Sequence, residues 1–154
     1  MSSWDREEIE EAFARYQEVA ARAGASGDWN QWADLFTEDA TYLEAHYGRF
    51  EGREEIRRWI TSTMAEYPNN EMTEFPIDWY VVDDERGWVV CRVWNRMRDP
   101  GDGSLHQEAN LTVLHYAGSG LWSYEEDQYN PANFAPMISG YLERKREIGD
   151  PGDR

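Results

Sequence analysis

Tyr42, Glu44 and His46 stand at alternate positions in the run ATYLEAHY, so an extended chain turns a phenol, a carboxylate and an imidazole to one side. On the wall of an apolar pocket these are acid–base tools. A carboxylate shielded by rings is raised towards neutrality and can shuttle a proton, while a phenol or an imidazole can donate to a developing oxyanion. On a wet face the same Glu44 would be solvated or paired with Arg49 or Arg53. Glu44 is therefore the first candidate base, with Tyr42 and His46 as donors. More carboxylates stand in LWSYEEDQY. Strict alternation groups Trp122, Tyr124, Glu126 and Gln128 on the more apolar face and leaves Ser123, Glu125 and Asp127 on the other. Glu126 is thus the residue expected in the pocket, with Tyr124 beside it, and a bulge in the strand would exchange Glu126 with Asp127.

Other polar residues sit in apolar surroundings. Tyr16 lies on an apolar helical stripe and is either core or a further oxyanion donor. Asn95, Asn110 and Thr112 interrupt apolar strand runs; because a buried amide needs partners, Asn110 is either a ligand contact or a cross-strand tie. Trp32, Phe36, Trp59, Met64, Phe134 and Met137 are core residues that also line a pocket. His106 and His115 fall on opposite faces of one strand, so at most one faces inward.

The elements that must position these groups can be read from periodicity. Residues 4–23 carry Ile9, Ala12, Phe13, Tyr16, Val19, Ala20 and Ala23 on one helical stripe. A second helix opens at Asp28, capped by that residue with Gln31 returning the bond, and from Ala40 the period changes to two. Residues 48–52 read as a loop and 53–67 as a third helix. Strands follow at about 74–83, 88–98, 105–116 and 121–129, separated by turn chemistry. A last helix begins near Pro131 or after Asn133, and the charged tail 143–154 is expected to fray. The order ααβαββββα predicts one α+β domain, ordered over about 4–142, with helices against a strongly bent antiparallel sheet and a hollow between the layers.

Composition narrows the partners. The 154 residues carry 31 acids and 15 bases, a formal net charge of −16, which repels nucleic acid and anionic membranes. Eight Trp and nine Tyr supply rings enough for a core and a pocket. The single cysteine, Cys91, sits in an apolar run and fits a reducing compartment. With neither a leader-like N-terminus nor a long apolar run, the chain reads as cytoplasmic, without membrane contact. Arg92 and Arg96 alternate with Trp88 and Trp94, which suggests an outer sheet face with cation–π pairs and a dimer surface.

The runs GDWNQWADLFTEDATYLE and GREEIRRWI, followed by a meander ending YEEDQYNP, resemble the SnoaL-like branch of the nuclear transport factor 2-like superfamily over roughly residues 5–140. The resemblance implies a cone-shaped, cystatin-like α+β barrel with a deep apolar pocket, often paired as a homodimer through the outer sheet face. Its members include ketosteroid isomerases, polyketide cyclases, dehydratases, epoxide hydrolases and non-catalytic binding domains, so fold membership alone does not choose among activities. By that likeness Glu44 occupies the general-base position of the ketosteroid isomerases, and Tyr16 is nearest to their oxyanion tyrosine. Thr112 stands where they carry a protonated aspartate, a departure that argues against steroid isomerisation. Glu126 resembles the pocket carboxylate of limonene-epoxide-hydrolase-like members, whose Arg-x-Asp pair is replaced here by Asn95-Arg96-Met97-Arg98. Nothing matches a metal-ligand spacing, a phosphate-binding loop or a dinucleotide fingerprint.

The expected function is thus cofactor-independent acid–base chemistry on a small hydrophobic or aromatic oxygenated molecule, as an isomerase, dehydratase, cyclase or lyase. A non-catalytic binding or dimerisation module and an epoxide hydrolase are the alternatives.

Overall fold

The computed structural model describes residues 4–149. In chain order these form α1 (Arg6–Ser26), α2 (Asn30–Ala33), β1 (Phe36–Glu44), β2 (Gly48–Glu51), α3 (Arg53–Ala65), a 3₁₀ turn (Asn69–Glu71), β3 (Met72–Glu74), β4 (Ile77–Asp83), β5 (Trp88–Met97), β6 (Gln107–Gly118), β7 (Leu121–Gln128) and α4 (Pro131–Ile148). The strands build one curved sheet in the order β2-β1-β7-β6-β5-β3, and β4 pairs with the opposite end of β5 from β3. The meander from β4 to β7 returns the chain to β1, and the two meet in parallel. The remaining pairs are antiparallel, so the sheet is mixed.

The stripe on α1 is buried as its spacing requires: Ile9, Ala12, Phe13, Tyr16, Val19, Ala20 and Ala23 all face inward. Gly24 lets α1 come close to β3, since a Cβ there would lie 2.2 Å from the Thr73 carbonyl oxygen. Gly27 then ends the helix in the left-handed region, its N–H on the Ala23 carbonyl. α2 is shorter than expected. Asp28 accepts from the backbone and side-chain nitrogens of Asn30 rather than forming a reciprocal box with Gln31.

Three further expectations need correction. Residues 48–51 are a strand hydrogen-bonded to β1, not a loop. The run 74–83 breaks at Phe75-Pro76, where proline has no N–H for a ladder and instead offers its carbonyl to Trp94 N at 2.9 Å. The helix at the end continues to Ile148, with Pro136 inside it, rather than fraying from 143. Ion pairs hold that last part: Lys145 with the buried Glu71 at 2.5 Å and Arg144 with Asp102 at 2.6 Å. The rest of the predicted tail, 150–154, lies outside the described residues.

Ile9, Phe13, Phe36, Val89, Leu114 and Trp122 fill the space between α1 and part of the sheet. Elsewhere between helices and sheet a hollow remains. The outer face leaves Trp79, Val81 and Leu111 exposed, the Arg92 guanidinium lies 4.4 Å from the Trp94 ring centre, and His115 is stacked between Trp88 and Tyr124. Among the described residues no helix is long and apolar enough to cross a membrane.

Candidate active site

The hollow is a cavity of about 400 Å³. Its walls come from α1 (Tyr16, Ala20), the α2 segment (Trp29, Trp32), α3 (Trp59, Ile60, Met64), the inner faces of β1 and β4–β7, and α4. On α4 the wall residues Pro131, Phe134, Ala135 and Ile138 recur at helical spacing, so Ile138 takes the place expected of Met137.

Sheet register assembles the polar floor. Glu44 on β1 is paired across the parallel ladder with Asp127 on β7, and Asp127 is paired with Thr112 on β6. Two residues along, Tyr42 is paired with Glu125. Each row therefore points the same way, into the cavity.

A directed chain of hydrogen bonds runs through this floor. Asn95 Nδ2 donates to Asn110 Oδ1 at 2.7 Å, Asn110 Nδ2 to Thr112 Oγ1 at 2.8 Å, and the Thr112 hydroxyl to Asp127 Oδ1 at 2.7 Å. From the other side Tyr16 donates to Glu125 Oε1 at 2.6 Å. The phenol oxygen of Tyr42 lies 2.6 Å from Glu125 Oε2 and also in contact with Asp127 Oδ2.

Counting protons shows that one of the two carboxyls is neutral. Tyr42 has one hydroxyl proton and two carboxyl neighbours, so one carboxyl must itself donate to the phenol oxygen. Each carboxyl also accepts from one outer donor, Asp127 from Thr112 and Glu125 from Tyr16, so it is burial that decides which of the two holds the proton. Burial favours Glu125 as the neutral acid. Glu125 is 2% exposed, whereas Asp127 is only half-buried and opens on the cavity. Burial, then the neighbouring Asp127 charge, pushes the Glu125 carboxyl well above the usual range. Asp127 is also raised, chiefly by burial, against the lowering pull of its hydrogen-bond donors. The same burial and the two carboxyls raise the phenols of Tyr16 and Tyr42, so both stay protonated donors.

Glu44 faces the cavity, as expected, and it is not paired with either arginine. Arg49 bonds Glu51, and Arg53 Nε donates to the Phe36 carbonyl at 2.7 Å. Its carboxylate accepts the backbone N–H groups of Tyr47 at 2.9 Å and His46 at 3.4 Å. Tyr129 lies close enough that Glu44, after burial itself, raises its phenol. His46 is exposed at the rim, its ring against Tyr47, and does not join the acid cluster.

Glu126 is the chief correction. It points away from the cavity and accepts from Tyr124 and Gln128. The cause is a bulge: His115 pairs with Tyr124 and Tyr116 with Trp122, so Ser123 is one residue too many. Trp122 stays in the core, and beyond Ser123 the phase inverts, placing Glu125 and Asp127 inside. Tyr124 consequently lies outside against His115, its phenol raised to about 12 by burial and Glu126. Phe36 is fully buried under the Trp32 and Tyr42 rings, not on the cavity wall. Trp32, Trp59, Met64, Asn95, Asn110, Thr112 and Phe134 do line it. Asn110 proves to be a cross-strand tie as well. Glu125 escaped sequence reading because only the bulge reveals it. Among the described residues no group of His, Cys, Asp and Glu side chains is placed to hold a metal ion.

Comparison with known proteins gives the family. The model of the SnoaL-like domain matches residues 1–122. Curated sequences yield no match. Among solved structures, a protein from Jannaschia sp. CCS1, provisionally assigned as a SnoaL-like polyketide cyclase, is 15% identical with a TM-score of 0.66, covering 89% of this chain and 98% of its own. The epoxide hydrolase/cyclase-like enzyme SalBIII, of pyran ring formation in the polyether salinomycin, is 17% identical with a TM-score of 0.64, covering 83% and 95%. A protein with a ketosteroid isomerase-like fold from Catenulispora acidiphila DSM 44928, in complex with trimethylamine, is 20% identical with a TM-score of 0.63, covering 79% and 90%. At these identities the likeness is one of fold. The family match spans most of the sequence, and the chain therefore belongs to the SnoaL-like domain family.

Proposed function

We propose that this chain is a cofactor-independent enzyme of general acid–base type, with Asp127 as the base. The observation that carries the reading is the single phenol of Tyr42 held between the carboxyls of Glu125 and Asp127, of which the more deeply buried Glu125 is the one whose neutral form is favoured. An acid and a base kept side by side on the floor of a largely apolar cavity suit proton removal from a carbon next to a carbonyl. Asp127 takes the proton, the C–H electron pair moves towards the carbonyl oxygen, and the floor returns a proton to the substrate. Return to another carbon is isomerisation. Delivery to a departing hydroxyl is dehydration, with water as the leaving group. Glu44 lies in the neighbouring register position but is tied to the turn backbone, which makes it a positioning and binding group rather than the base.

Two relatives of this fold support a small-molecule cavity: one holds trimethylamine and another is an epoxide hydrolase/cyclase-like enzyme. The test is deuterium exchange at carbon, followed by NMR in deuterium oxide over a panel of ketones, hydroxyketones and enones. Catalysed exchange that disappears in Asp127→Asn supports the assignment. Exchange undiminished in that variant overturns it. Ligands that stabilise the protein without exchange or turnover would make it a binding module.

A homodimer through the outer sheet face belongs to the same proposal. Its support is the exposed row of Trp79, Val81 and Leu111 on a sheet whose other side is covered.

A further inference from the structure

We infer that the molecule taken into this cavity carries a positive charge, as a protonated or quaternary amine. The inference rests on the reading of the cavity as the substrate site and adds the class of substrate.

Three carboxyl groups, those of Glu44, Glu125 and Asp127, line the cavity, and among its described lining residues there is no lysine or arginine. His46 is the one imidazole among the described lining residues, and it sits at the exposed rim. The partners of Asp127 and Glu44 are neutral: the Thr112 hydroxyl, the phenols of Tyr42 and Tyr129, and two backbone N–H groups. The arginines beside β1 and β2 are engaged elsewhere. An enclosed carboxylate without a counter-charge is expensive, because its hydration is lost and no ion pair replaces it. The cross-strand pair Glu44 and Asp127 places two such groups next to each other, so the missing charge is a cation of the ligand.

The rest of the wall suits a cation too. Tyr42, Trp32 and Trp59 form a continuous ring surface, with Tyr42 4.9 Å from Trp59 and 6.0 Å from Trp32 between ring centres. Trp29 stands 5.5 Å from Trp32, and Tyr47 5.9 Å from Trp59. Aromatic faces attract ammonium groups, most strongly where water is excluded. A cationic nitrogen lying between these rings and the Glu44–Asp127 pair meets both attractions. It also acidifies a neighbouring C–H and offsets the negative charge that proton removal creates, work that no lysine or arginine among the described lining residues is there to do. The net charge of −16 draws such a molecule in and repels anions.

The experiment is titration calorimetry of the full chain with benzyltrimethylammonium, its neutral carbon isostere neopentylbenzene, and the anion benzoate. The cation should bind at least about tenfold more tightly than the isostere, and benzoate most weakly. That preference should shrink in Glu44→Gln and again in Asp127→Asn, with both variants shown folded by circular dichroism and by retained binding of the isostere. Equal binding of cation and isostere, a preference for benzoate, a preference unchanged in both variants, or no binding of any of the three overturns the inference. Equal binding alongside Asp127-dependent deuterium exchange would overturn the cationic class and leave the acid–base reading standing. A carboxylate-dependent cation preference with no exchange on any amino ketone would do the reverse.

Discussion

Glu125 and Asp127 stand two residues apart on β7, and both reach the phenol oxygen of Tyr42. Because a phenol has one proton to give, the two carboxyls cannot be equivalent. Both line the cavity, but Glu125 is the more deeply buried and its carboxyl is raised further, which favours it as the neutral partner and Asp127 as the anion.

Replacing Tyr42 by Phe brings the carboxyls into contact without the phenol that separates their roles. Turnover should fall by roughly 10²-fold or more, and the pH at which Asp127 gains activity should rise, since a donor to its carboxylate is gone. A pH–rate profile of Tyr42→Phe that overlays the wild type would refute this role.

Thr112→Val removes the other donor to Asp127 at nearly constant volume. The acidic limb of kcat/KM should move to higher pH with little change in KM. A merely structural hydroxyl would instead lower stability and leave the profile in place.

Stability should fall as pH rises above the usual carboxyl range. Glu125 has a raised folded-state pKa, so between the unfolded value of about 4.3 and the folded value the native state holds a proton that the unfolded chain lacks. Its contribution is full below that window and declines by about 1.4 kcal/mol per pH unit inside it. Urea unfolding at pH 5 to 8 should show this slope, and Glu125→Gln should flatten it. A wild type equally stable across the range would contradict the neutral Glu125.

Lys145→Ala should cost about 1–3 kcal/mol, because it leaves the buried Glu71 carboxylate without its partner. Urea unfolding measures the loss. An effect near zero would mean that the end of α4 is held by other contacts.

Trp79→Glu places a charge in the exposed outer row and should convert the proposed dimer to monomer in sedimentation velocity. A wild type already monomeric at micromolar concentration would remove that proposal.

Regular periodicity made much of this structure legible. The α1 stripe and the inward face of Tyr42 and Glu44 were readable because α1 keeps its period throughout and β1 alternates cleanly from Ala40, beyond its irregularity between Phe36 and Thr41. Glu126 was misplaced because alternation assumes an unbroken ladder, and the extra residue at Ser123 is visible only once β6 is laid beside β7. The end of α4 was misread for a different reason. Its charges look solvated in sequence, yet Lys145 and Arg144 find partners in Glu71 and Asp102, 74 and 42 residues away. Likewise, Gly48–Glu51 has a strand's hydrogen bonds without a strand's composition, because β1 supplies its template.

The most direct measurement is carbon-13 NMR of the side-chain carboxyls across pH, assigned with Glu125→Gln and Asp127→Asn. At neutral pH the Glu125 carboxyl should resonate as a protonated acid and Asp127 as a carboxylate, with Asp127 titrating above the usual aspartate range. Two carboxylates, each ionising in the ordinary range, would contradict the shared-proton pair and with it the assignment of Asp127 as the base.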